Sequence, residues 1–124
     1  MSEQTKPEPR GVFNPRVVDL ITEDVASDEV VLVMLEERRW GADPEQLRQL
    51  EAKFNAYLSY VLGGHLVQQY PQYADRGVRF QIDCVENPRS EDHAFLTAMS
   101  NFAAGEGIRL VVRVVQEGET PLVG

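Results

Sequence analysis

The stretch from Asp43 to Leu62 constrains the fold more than any other part of the chain. Its apolar residues Leu47, Leu50, Phe54, Tyr57 and Val61 alternate steps of three and four, with Leu58 and Leu62 widening the stripe. That spacing makes one face of an α-helix apolar. Asp43 can accept hydrogen bonds from first-turn N–H groups, Pro44 brings a helical φ, and Glu45 sets negative charge at the positive end of the dipole. Gly63 and Gly64 supply the stop, because glycine takes the left-handed backbone of a helix end at no steric cost. Burying these side chains is worth roughly 10–20 kcal/mol before entropy, at about 1.5–3 kcal/mol each. An isolated helix cannot collect that, so a sheet is expected beneath it.

The strands follow from shorter patterns. Val17, Val18, Leu20 and Ile21 form a β-branched run that ends in Thr22-Glu23-Asp24, and Ala26-Ser27-Asp28 carries turn chemistry. Val30 to Leu35 is apolar on both parities and too short for a convincing helix, so it belongs inside the sheet, in an antiparallel hairpin with the first strand. His65 to Tyr70 adds one more helical turn before Pro71. Val78, Phe80, Ile82 and Cys84 alternate with Arg79, Gln81 and Asp83, the period of a strand with one face in the core. Ser90 is a good N-cap for a second helix whose Phe95, Leu96, Met99, Phe102 and Ala103 share a face, closed by Gly105 and Gly107. Ile108, Leu110, Val112 and Val114 then mark a last strand.

The resulting order is ββαβαβ. It predicts an α+β two-layer sandwich: a four-stranded mixed sheet, with parallel right-handed crossovers and two helices on one face. The domain is expected over 12–116, between a disordered tail at 1–11 and a frayed tail at 117–124. The uncovered sheet face would carry Arg79, Gln81, Asp83, Arg109, Val111, Arg113 and Val115. A second copy of the chain is the simplest cover, giving a twofold homodimer. The N-terminal segment or ordinary surface exposure would account for that face otherwise.

The 124 residues suffice for one domain, and the single Cys84 excludes an intramolecular disulfide and a cysteine-based metal cluster. Met1 to Gly11 has no apolar core, so no signal peptide is expected, and no run approaches a membrane span. A soluble, cytoplasmic protein is the reading. Net charge is −8, with ten acids against Arg38, Arg39 and Arg48 between Asp19 and Glu51. That field disfavours nucleic-acid binding by general electrostatics.

No group of residues forms a catalytic or cofactor signature. His65 and His93 lie in different elements without the spacing of paired metal ligands. Cys84 shares the parity of core residues and reads as a buried, inert thiol. Glu36-Glu37 beside Arg38-Arg39 reads as a surface ion-pair cluster rather than a carboxylate dyad, and Gly63-Gly64 lacks the remainder of a phosphate loop. Arg79, Asp83, Arg109 and Arg113 form the most interesting polar set, either an anion or acidic-peptide site or a set of cross-strand salt bridges. Trp40, Tyr70 and Tyr73 fall in loops near the ends of the first helix and either form a recognition rim or plug the core edges. Asn55, between Phe54 and Tyr57, can hydrogen-bond a loop backbone.

Val17-Val18-Asp19-Leu20-Ile21, Glu29 to Val33, Trp40, the helix pattern Leu47-x-x-Leu50-x-x-Lys53-x-Asn55-x-Tyr57-Leu58, Gly64-x-Leu66 and Tyr70-Pro71 together resemble a family of small bacterial proteins of unknown function. The likeness covers roughly residues 16 to 73 and departs at Glu37-Arg38-Arg39. It implies the strand pair, tryptophan-containing turn and helix, and brings no activity with it. Small size, acidity and the absence of catalytic groups point instead to binding without chemistry, as a homodimer with a possible protein partner, of immunity, stress or regulatory type. The alternative is a small hydrolase or isomerase, with Asp83 as base and Arg79, Arg109 or Arg113 holding an anion. No cofactor or metal is expected.

Overall fold

Six consecutive apolar residues at Val30 to Leu35 need cover on both faces and pairing on both sides, and they form the inner strand β2 (Glu29–Glu36). The structure, a computed structural model, describes residues 8–115; most of the expected N-terminal tail and all of the expected C-terminal one lie outside the described residues. Glu8 to Gly11, assigned to the tail from sequence, are placed: Arg16 pairs with Glu8, and Gly11 donates its N–H to Asp19 at 2.9 Å. β2 pairs antiparallel with β1 (Leu20–Asp24) and parallel with β3 (Gly77–Cys84), which pairs parallel with β4 (Ile108–Val114). The result is an α+β fold on a four-stranded mixed sheet of order β1-β2-β3-β4.

β1 begins later than its β-branched run. Val17 and Val18 lead in, and Thr22-Glu23-Asp24, expected to end the strand, pair with Val31, Val30 and Glu29. The turn decides this: Asp24 Oδ1 accepts the N–H groups of Ala26 and Ser27, and Asp28 sits at φ 58°, so the chain reverses only after Asp24.

Among the described residues three α-helices complete the fold: α1 (Gln46–Leu62), α2 (His65–Gln69) and α3 (Ser90–Gly105), with a 3₁₀ turn at Pro71–Tyr73. Asp43 does not cap α1. Its carboxylate accepts the Glu45 N–H at 2.8 Å and its carbonyl the Gln46 N–H, a turn that delivers the chain into the helix. Gly63 continues the helical backbone and Gly64, at φ 86°, turns the chain into α2. At α3 the cap is also displaced. Ser90 is already helical, and the Asp92 carboxylate reaches back to the Arg89 N–H at 3.1 Å and to its guanidinium at 3.0 Å.

The core joins Leu50, Phe54, Tyr57, Leu96 and Met99 of the two long helices to Val30, Leu32, Met34, Phe80, Ile82 and Cys84 of one sheet face. Phe80 is the hub, with the rings of Tyr57 and Phe54 edge-on at 5.6 and 5.9 Å. Two residues expected in the apolar stripes are exposed, Leu62 in the last turn of α1 and Phe102 on α3. On α3 the buried line is Asp92, Leu96, Met99 and Ala103. Phe102 stands one residue, about 100°, off that line and meets the Phe54 ring instead of the sheet.

Candidate functional site

The alternation of β3 and β4 brings the expected polar set onto the sheet face opposite the helices. Register sets Arg79 against Arg109 and Asp83 against Arg113. Two guanidinium groups directly opposite would repel, and β2 resolves the conflict with Glu29. Its Oε1 accepts from Arg79 at 3.0 Å and Arg109 at 2.8 Å, and its Oε2 from Arg109 at 2.9 Å. Asp24 takes Arg79 at 2.9 Å. Asp83 Oδ1 accepts from Gln81 at 2.9 Å and Arg113 at 3.3 Å. The three arginines thus meet three carboxylates, two of them from strands whose position the alternation alone did not reveal.

This lattice limits what the face can do. Among the described residues Asp83 Oδ2 has no hydrogen-bond partner, but the side chain is 2% exposed, so an acid–base role would require a substrate atom to reach a closed position. Of the apolar residues on this face, Val31 and Val33 have no solvent exposure, and Val111 and Val115 are half-buried. The apolar surface that called for a covering second copy is therefore confined to the β4 side of the sheet.

Hydrogen bonds from Arg109, then from Ser27, with the charge of Arg79 behind them, hold the Glu29 carboxyl down at about 2, from an ordinary 4.5. A depressed acid contributes stability above its unfolded pKa and loses it as pH falls toward the folded one. Because Arg109 is 59% exposed, solvent screening brings the contribution to about 1 kcal/mol. Glu29→Gln is therefore expected to lower stability by that amount at pH 6–7, with the difference from wild type fading between pH 4.5 and 2 in urea titrations.

The expected aromatic rim does not assemble. Trp40 is buried where β2 and β3 end, its indole N–H donating to the Glu86 carbonyl at 3.0 Å. Tyr70 and Tyr73 lie together at the other end of those strands, ring centres 5.6 Å apart, with the Tyr73 hydroxyl on Glu23 at 3.3 Å and the Arg76 guanidinium 5.9 Å from the Tyr73 ring. Cys84 is buried in the core, and desolvation pushes its thiol above the usual range. Glu36 is also buried rather than on the surface, holding the Arg38 guanidinium at 2.9 and 3.0 Å, while Glu37 is exposed. His65 and His93 are exposed on separate helices. Among the described residues no group of three or more His, Cys, Asp and Glu side chains is placed to hold a metal ion.

Sequence reasoning missed the most heavily bonded polar node. Lys53 and Asp19 are both 0% exposed and paired at 2.8 Å. Lys53 Nζ also donates to the carbonyls of Asn14 and Val17, each at 2.6 Å, filling all three ammonium donors. Asp19 Oδ1 and Oδ2 further accept the N–H groups of Gly11 and Leu35, both at 2.9 Å. The Tyr57 hydroxyl donates to the Val33 carbonyl at 2.6 Å and accepts the Asp19 N–H at 2.8 Å. Burial pulls the ammonium below its usual range against the pull of Asp19, and holds the Tyr57 phenol well above its own. The node fastens residues 11–19 to α1 and β2. Its one signal in the sequence is position: Lys53 follows Leu50 by three and precedes Tyr57 by four, on the core-facing stripe.

On the outer surface α1 and α3 bound a cleft of about 300 Å³ lined by Glu51, Phe54, Asn55, Phe95, Met99 and Phe102. Phe102 is 58% exposed, with its ring edge-on to Phe54 at 6.3 Å. Asn55 is exposed on the rim and its side chain makes no hydrogen bond among the described residues, so the loop backbone contact expected of it is not formed.

No curated protein and no solved structure matches the chain. The sequence model of one protein family matches residues 11–116, a span that takes in every described strand and helix and the Asp19–Lys53 node. The chain belongs to that family, a family of unknown function designated DUF6572.

Proposed function

We propose that this chain is a binding module without chemistry of its own, a single domain over 12–116 that acts as a homodimer in a bacterial cytoplasm and holds a protein partner in the cleft between α1 and α3. The role is immunity-type or regulatory in kind. The observation that carries this reading is Phe102. A phenylalanine 58% exposed above an apolar floor of Phe54, Phe95 and Met99 is surface that a partner side chain can remove from water. Asn55 offers both donor and acceptor at the rim, and its low helix propensity gives that exposed mid-helix position no local rationale. Glu51 beside it and the net charge of −8 favour a segment with apolar anchors and basic flanks.

The test is affinity capture from the native cell with wild type and Phe102→Ala as paired baits. A protein retained by wild type, reduced at least tenfold by Phe102→Ala and rebinding the purified domain directly, is the expected result. Identical retention by the two baits, with the variant as stable as wild type, removes the cleft from the reading.

A further inference from the structure

The two edges of the sheet are built differently. β1 is five residues long and ends in Glu23 and Asp24, and Glu23 is tied to Arg76 and Tyr73, so this edge is short and guarded by charge. β4 is seven residues, Ile-Arg-Leu-Val-Val-Arg-Val, about 23 Å long at roughly 3.3 Å per residue, with no acid, lysine or proline. Among the described residues nothing pairs with its outer edge.

The direction of that edge follows from one hydrogen bond. The Val115 N–H donates to the Cys84 carbonyl at 2.8 Å. In a parallel ladder alternate residues turn both backbone groups to the same neighbour, so Arg109, Val111 and Arg113 bond to β3 and Leu110, Val112 and Val114 turn theirs outward. Those same three side chains line a cleft of about 390 Å³ against Leu96, Thr97 and Ser100 of α3. Open backbone groups and half-covered apolar side chains therefore coincide along one edge. None of the cleft's lining residues is acidic, in a chain of net charge −8. Neither the strand nor the cleft therefore brings a carboxylate of its own against a second copy.

We infer that β4 pairs antiparallel with β4 of a second copy about a twofold axis at Val112, joining the two sheets into one of eight strands. The inference rests on the homodimer in the reading above and gives it an interface. Val112 meets the partner's Val112 and Leu110 meets the partner's Val114, exchanging about six backbone hydrogen bonds. On the other sheet face Val111 meets the partner's Arg113. A register centred on Val111 would instead set Arg109 against the partner's Arg113, a like-charge pair that selects against it. On the helix side each cleft closes over the partner's Leu110, Val112 and Val114, and the exposed Thr97 of α3 stands beside the seam. The α1–α3 cleft stays open on both copies.

Light scattering after gel filtration at about 100 µM should give twice the 14.0 kDa chain mass. Two variants should return it to monomer. Val112→Pro removes an outward N–H that no described residue accepts, and Thr97→Arg places a cation on an exposed helical position at the seam. Hydrogen exchange supplies the local readout: the amides of Leu110, Val112 and Val114 should slow at least tenfold between dilute and concentrated protein. A monomer at every concentration overturns both the edge pairing and the homodimer. A dimer that survives Thr97→Arg with those three amides exchanging fast overturns the edge pairing alone, and this holds even where Val112→Pro fails to fold.

Discussion

Lys53→Met is expected to destabilise the domain by about 3–5 kcal/mol, because it leaves Asp19 as an uncompensated charge at 0% exposure. A methionine matches the length of the lysine stem but returns none of the three hydrogen bonds that Nζ makes to Asn14, Val17 and Asp19. Two backbone carbonyls and one carboxylate oxygen then lose a buried donor together. At about 4 °C of Tm per kcal/mol for a chain of this size, the melting temperature should fall by more than 10 °C. The reverse charge removal, Asp19→Asn, strips the ammonium of its counter-ion and leaves one acceptor oxygen for the Gly11 and Leu35 amides, which use one carboxylate oxygen each, so it should be of similar size. The pair separates ion pairing from packing. Lys53→Met with Asp19→Asn should recover part of the loss, since no unpaired charge remains. Denaturant titration of the three variants measures this coupling, and strict additivity would mean that the two groups do not interact.

That node also shows where sequence reading stopped. Strand β2 was legible because six apolar residues in succession allow little else, and β3 and β4 because a period of two survives even where Arg79, Asp83, Arg109 and Arg113 interrupt it. The same parity placed those four on one face. What it could not supply was strand order, and hence the opposing Asp24 and Glu29 that turn three guanidinium groups into a neutral lattice. Lys53 was hidden for a related reason: a lysine in an apolar stripe reads as a solvated edge until its partner, 34 residues away in sequence, is brought beneath it. Caps failed by two positions at Asp43 and by one at Ser90, because the residue that satisfies the first turn is chosen by where the loop arrives. The α1–α3 cleft escaped entirely. Phe102 falls in the correct helical period, and only the packed arrangement shows that its neighbour is another helix and not the sheet.

Phe54 and Phe102, in edge contact at 6.3 Å, are expected to respond to the same substitution in opposite ways. Phe54 is 3% exposed and lies between Phe80 beneath and Phe102 above, so Phe54→Ala removes a whole ring from the middle of the core. That should cost about 3–5 kcal/mol, from the lost transfer energy and the residual cavity, and lower Tm by more than 10 °C. Phe102→Ala takes away a ring that is 58% exposed and leaves a surface that water can fill. Its effect should stay below about 1 kcal/mol. Thermal melts of the two variants side by side read the difference directly. If Phe102→Ala were as damaging as Phe54→Ala, the outer ring would be part of the core and its exposure would carry no meaning for recognition. If the two differ as expected, a large apolar side chain stands where folding makes little use of it, and its substitution tests the proposed contact without disturbing the core.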